Sequence, residues 1–245
     1  MTEPTRQKND HRHGALNIGQ TTPLKTAVWH TRRTLRNVLR RDVLDAEKHT
    51  AVRRRRVRHV YRKVDDFVAA FFPRMVKTTS KRVALKRVQD MIDELGYTVV
   101  ETDTKKPWGG FYRLKDDEAG RFIAEFFPGL SMKEAMLGQT DVKLSPKFLL
   151  VAPGQRLSWQ YHHRRAERWH FLIKGAYYKS MTDEQGTRVE APAGTVVQFA
   201  QGERHRLTAF DEDNYTLVAE IWQHTEPEQV SDEADIVRLA DDYSR

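Results

Sequence analysis

Gln160, His162, Glu167 and His205 are the residues whose types and spacing suit chemistry. Gln160 and His162 stand two apart in LSWQYHH, a strand-like run, so alternation aims both side chains at one face. Glu167 follows across a short turn, where the next aromatic and β-branched run begins. His205 comes 38 residues later, at the start of HRLTAF and behind its own turn, QGER. In a small barrel these strands converge, which would gather two imidazoles, a carboxylate and an amide oxygen. Such a set suits a divalent metal, Zn²⁺ first and Mn²⁺ or Fe²⁺ next, with positions left open for substrate. The 245 residues contain no cysteine, which excludes thiolate zinc sites, iron–sulfur clusters, disulfides and cysteine nucleophiles. Spacing leaves the proton-transfer group open among Glu220, His163 and Tyr161. Alternation turns Tyr161 and His163 away from the ligand face. Glu220, an acid among the apolar residues of VAEIW, is either an inward base or a barrel-wall charge paired with an arginine.

The elements that must position these residues are mostly strands. From residue 146 onward, KFLLVAP, LSWQYHH, RWHFLIKGAYYKS, TRVEA, TVVQFA, HRLTAF and YTLVAEIWQ alternate with turn clusters such as PGQ, TDEQG, PAG and DEDN. Short, evenly spaced runs of this kind predict an antiparallel sandwich or barrel. YTVVETD predicts one earlier strand. Residues 116–139 read as a helical insertion, in which Ser131 and Glu134 form a capping box. The acidic tail carries Ile236, Val237 and Leu239 and is expected to pack on the barrel. Trp108, Trp159, Trp169 and Trp222 read as packing residues rather than sugar platforms.

The first third differs in character. Residues 1–75 carry 18 Lys and Arg against 7 Asp and Glu, although the whole chain has a formal charge of only +8. Residues 1–26 read as a disordered tail and 27–96 as a basic helical region. Within it, Val57, Val60, Tyr61, Val64, Phe67, Val68, Phe71 and Phe72 form one helical stripe, which Pro73 ends. A second helix follows with Leu85, Val88, Met91, Ile92 and Leu95 on its apolar face, Ser80 as its cap and Gly96 at its stop. The arginines of 27–75 leave nucleic-acid or anionic-membrane contact open, but a docked helix pair with solvated arginines explains the stripe more simply. Met75 is an alternative start, and an Arg-rich, acid-poor beginning also suits a transit segment. With no apolar run near 18 residues and no secretory pattern, the expectation is a cytoplasmic protein.

At its candidate ligands the sequence resembles the cupin superfamily. The first cupin motif, G-x(5)-H-x-H-x(3,4)-E-x(6)-G, is met by Gly154, Gln160 in place of the first His, His162 and Glu167, with Gly175 one residue late. The second, G-x(5)-P-x-G-x(2)-H-x(3)-N, is met by Gly194, Gly202 and His205, with Ala200 for Pro and Ala209 for Asn. LVAPGQRLSWQYHHRRAERW, KPWGG, GERHRL and DIVRLADDYSR are similar to the C-terminal cupin domain of type II mannose-6-phosphate isomerases, over about residues 97–245. Related stand-alone bacterial cupins are described as phosphomannose or phosphoheptose isomerases. Lys106 where that family has Arg, the late Gly175 and the insertion are departures.

The resemblance implies a cupin barrel over 97–245 and a metal held by Gln160, His162, Glu167 and His205. It implies aldose–ketose isomerisation of a phosphosugar, mannose 6-phosphate-like or a heptose phosphate, and pairing as a homodimer. A proton leaves the carbon beside a carbonyl, and a divalent metal stabilises the oxyanion that develops. Glu220 and Arg206 are the catalytic candidates. Lys106, Arg156, Arg238 and Arg245 are the candidates for gripping a phosphate. The rival readings are a metal-bound sugar or ligand sensor without turnover and an iron-dependent dioxygenase.

Overall fold

A computed structural model describes residues 66–72, 75–140 and 143–244. The expected tail at 1–26, most of the basic region and Arg245 lie outside the described residues. The elements run α1 (Lys81–Leu95), β1 (Val99–Asp103), β2 (Gly109–Leu114), α2 (Ala119–Phe126), α3 (Met132–Ala135), β3 (Lys147–Val151) and β4 (Trp159–Tyr161). They continue through β5 (Arg165–Ile173), β6 (Gly175–Ser180), β7 (Val189–Ala191), β8 (Val196–Phe199), β9 (Arg204–Ala209), β10 (Thr216–His224) and β11 (Val237–Ala240). Residues 66–71 are helical as well.

The strands pair in a nested order. β6 pairs β7, β5 pairs β8, β4 pairs β9 and β3 pairs β10, all antiparallel. A long hairpin folded over on itself gives this pattern, and it is the jelly-roll barrel expected for a cupin. One sheet reads β1-β2-β3-β10-β5-β8 and the other β11-β4-β9-β6-β7. The barrel interior holds Phe111, Leu149, Val151, Trp169, Phe171, Phe199, Leu207 and Val218, drawn from both sheets.

The outer face of the six-stranded sheet is buried too. Phe148, Leu150, Leu217, Ala219 and Ile221 point there and pack with Phe122, Phe126, Leu85, Val88, Met91 and Ile92 of the helices. This is why KFLLV and TLVAEIWQH are buried along their whole length and show no polar alternation. The helix ends match their sequence signals. Ser80 accepts from the Val83 amide at 3.4 Å, Gly96 takes φ 70°, and Ser131 and Glu134 complete the capping box. In KPWGG, Gly109 has φ 153°, and a Cβ there would lie 1.8 Å from the Leu150 carbonyl oxygen, so β2 reaches β3 only with glycine at this position.

Phe67, Val68, Phe71 and Phe72 are buried in the same outer cluster, and the Met75 carbonyl accepts from the Tyr215 amide at 3.2 Å. Each large apolar side chain is worth about 1.5–3 kcal/mol when buried. A chain beginning at Met75 therefore loses a substantial share of a typical domain's stability. Compared with a chain beginning at residue 66, its thermal midpoint is expected to fall by at least about 5 °C. Equal midpoints in calorimetry would show that these four side chains add nothing to the core.

Candidate metal centre

Gln160 is directly opposite His205 in the β4–β9 pairing, so the two share the inner face. His162 is the first residue past β4 and follows the same alternation. Glu167, in β5, is opposite Trp222 of β10 and Phe199 of β8. One ligand atom from each of His162, Glu167 and His205 lies within 4.8 Å of the others. All three residues are no more than 2% exposed.

The backbone sets which ring nitrogens carry protons. His162 Nδ1 is 2.5 Å from the Asp235 carbonyl oxygen, and His205 Nδ1 is 2.9 Å from the Glu203 carbonyl oxygen. A carbonyl only accepts, so both Nδ1 atoms must donate. In the neutral rings each Nε2 is then a bare lone pair. His162 Nε2 lies 3.1 Å from Glu167 Oε1, and His205 Nε2 lies 3.3 Å from Glu167 Oε2. His205 Nε2 is buried and makes no hydrogen bond. Two lone pairs and a carboxylate turned toward each other call for a cation, and fixing a ligand ring through its far nitrogen is the usual support of a metal site. These residues fit a divalent metal. Gln160 shares their face, and its Oε1 accepts from Ser158 Oγ at 2.5 Å, which leaves that oxygen a second lone pair.

Arg165 stands beside the triad, and the sequence reading missed it. It is 4% exposed. Its Nε donates to Glu167 Oε1 at 2.9 Å and its Nη2 lies 3.2 Å from His162 Nε2. In HHRRAERW it reads as one more charge in a basic turn. The available signal was its place two residues before Glu167, which puts both on one strand face.

Burial alone would raise the Glu167 carboxyl, but the positive charge around it, the Arg165 guanidinium at 2.9 Å included, holds it well below the usual carboxylate range. Burial also lowers His162, against the pull of Glu167. Glu220 behaves in the opposite way. It is directly opposite Trp169 and Lys147 on the inner face, and Trp169 Nε1 donates to its Oε1 at 2.9 Å. Burial and the Glu167 charge push its carboxyl up to about 8. Two carboxyls on one face are thus driven apart, Glu167 ionised and Glu220 protonated at neutral pH. Lys147 pairs with Glu233, and its Nζ sits 3.5 Å from the Trp222 ring centroid.

The expected cationic residues do not gather at the triad. Arg206 follows His205 in β9, so it points to the opposite face, where it donates to Gln185 Oε1 at 2.8 Å and the Ala240 carbonyl at 2.9 Å. Arg156 is held by Asp242 of the tail at 2.6 Å. Lys106 pairs with Asp103 at 3.2 Å. Arg238, by contrast, is exposed and directly opposite Gln160, on the triad's face. The tail packs on the barrel through β11, and Trp108, Trp159, Trp169 and Trp222 are all buried. Tyr161 and His163 turn away from the triad and meet edge to face, with ring centroids 5.2 Å apart.

Two outcomes follow. His205→Ala is expected to abolish stoichiometric zinc binding in a dialysed sample, and full retention would remove the triad as the site. In metal-free protein, the folded state keeps a proton on Glu220 between pH 4.5 and about 8, where the unfolded chain has lost it. This contribution to stability therefore falls as pH rises through that window, by at most about 1.4 kcal/mol per unit. Glu220→Gln is expected to gain on the parent steadily from about pH 5 to 8 in urea unfolding. Parallel stability curves would contradict the neutral carboxyl.

No family model and no curated protein matches the sequence. Among solved structures the chain is similar in part to the capsular polysaccharide assembling protein CapF from Staphylococcus aureus, at 13% identity and a TM-score of 0.39 over 60% of this chain and 36% of that one. It is similar to a Cupin 2 conserved barrel domain protein from Salinispora arenicola CNS-205, at 20% identity and a TM-score of 0.30 over 36% of this chain and 68% of that one. It is also similar to the DMSP lyase DddQ from Ruegeria pomeroyi DSS-3, at 13% identity and a TM-score of 0.29 over 38% of this chain and 44% of that one. The chain thus spans about a third of the length of CapF, and the barrel assignment rests on its own strand pairing.

Proposed function

We propose that the protein is a metal-dependent aldose–ketose isomerase acting on a phosphosugar, mannose 6-phosphate-like or a heptose phosphate. The observation that carries this reading is the pairing, on one inner face, of a His–Glu–His triad with a second buried carboxyl, that of Glu220. His162, Glu167 and His205 would hold the metal, with Gln160 beside them. When bound, the metal supplies Lewis-acid stabilisation of the negative charge that develops on the substrate oxygen.

The remaining work falls to the chain's own residues. Burial raises the Glu220 carboxyl toward neutral pH, where a carboxyl both gives and takes protons efficiently. Trp169 Nε1 fixes one of its oxygens and leaves the other to exchange a proton with substrate carbon or oxygen. The apolar residues of the barrel interior exclude water, which limits loss of the transferred proton. Arg238 is the exposed cation on the triad's face and suits a phosphate group.

A second reading is a metal-bound ligand sensor without turnover. It is favoured by the engagement of Arg156 with Asp242 and of Arg206 with Gln185 and Ala240, which leaves fewer cations for a phosphate. The two separate in one assay. Zinc-loaded protein incubated with mannose 6-phosphate or sedoheptulose 7-phosphate is followed by NMR. The isomerase reading expects aldose–ketose interconversion that a chelator stops. It also expects that Glu220→Gln, with its metal retained, slows turnover by about a hundredfold or more. Bound metal with neither sugar converted would favour the sensor, and oxygen uptake with Fe²⁺ would move the assignment to a dioxygenase.

A further inference from the structure

The guanidinium of Arg165 is anchored on every side. Nη1 donates to Ser231 Oγ at 2.7 Å, to the Asp232 carbonyl at 3.0 Å and to the Asp235 carbonyl at 3.2 Å. Its Cζ lies over the Trp222 ring, 3.7 Å from the centroid. Nε reaches Glu167 Oε1 and Nη2 reaches His162 Nε2. His162 Nδ1 is committed to the Asp235 carbonyl, so Nε2 offers one in-plane lone pair, and the Arg165 donor already takes it. A metal needs that same lone pair. Glu167 is different, because a carboxylate has about four acceptor positions on two oxygens and keeps Arg165 while accepting a second cation.

We propose that Arg165 is a built-in counter-cation of the triad. It holds Glu167 and His162 in place without metal, and a divalent cation must displace it from His162 Nε2 in order to bind. The inference rests on the reading of His162, Glu167 and His205 as a metal site. It makes Arg165 a positioning residue that sets metal affinity. Its anchors to Ser231, Asp232, Asp235 and Trp222 make each displacement costly, because the guanidinium must shift Nη2 off His162 against them. The site therefore pays for pre-organisation with weaker metal binding. A residue that merely supported the ligands from behind would have the opposite effect on affinity when removed.

The test is Zn²⁺ affinity by competition with a chromophoric chelator, measured on the full chain, on Arg165→Met and on His205→Ala as the blank for stray sites. Arg165→Met is expected to lower the thermal midpoint of the metal-free protein. It is expected also to bind Zn²⁺ at least about tenfold more tightly than the parent, the factor associated with losing one charge-assisted hydrogen bond. If the variant is unfolded without metal, circular dichroism is expected to show refolding on adding one equivalent of Zn²⁺. Equal or weaker affinity in Arg165→Met, or a variant that stays unfolded with Zn²⁺, would overturn the role of Arg165 while leaving the metal site standing. Failure of both proteins to bind above the blank would overturn the metal site itself, and the inference with it.

Discussion

Two backbone carbonyls govern the site. Those of Asp235 and Glu203 each take the Nδ1 proton of a buried histidine, and that choice turns both Nε2 atoms toward Glu167. Asp235 is itself fixed through its side chain, which accepts from the amides of His163 and Arg164 and from Ser231 Oγ at 2.6 Å. The segment after the last core strand thus locks the turn that carries His162. Without it, His162 would lose its tautomer and Arg165 three of its acceptors.

The jelly-roll pairing explains how residues so far apart in sequence meet. Nesting β4 on β9 and β5 on β8 puts Gln160 opposite His205 and Glu167 opposite Phe199. A one-residue slip of β9 would send His205 to the outer face and bring Arg206 inward. The helices matter indirectly. By covering the outer face of the six-stranded sheet they bury the apolar residues of β3 and β10 there, while the inner face of the same strands carries Lys147 and Glu220.

Much of this was legible from residues alone. The caps at Ser80, Ser131 and Gly96 are local chemistry and need no tertiary information. The alternation that puts Gln160 and His162 on one side and Tyr161 and His163 on the other is equally local. What resisted reading depends on distant partners. Arg165 looked like a member of a charge run because three of its acceptors, on Ser231, Asp232 and Asp235, lie more than 60 residues away. Arg206 looked functional because it adjoins a ligand, yet strict alternation sends it to the outer face. Asp235 looked like one acid in an acidic tail, and only the return of β11 onto β4 gives it its role.

A metal can be held only if His162 and His205 both present unprotonated Nε2 atoms to it. The most direct measurement is histidine ¹⁵N NMR at pH 8 on the full chain, with and without one equivalent of Zn²⁺. Metal-free His162 is expected to carry its proton on Nδ1, and zinc is expected to shift Nε2 of both His162 and His205 while their Nδ1 signals stay protonated. A proton on His162 Nε2, or Nε2 signals that do not move with zinc, would contradict this expectation.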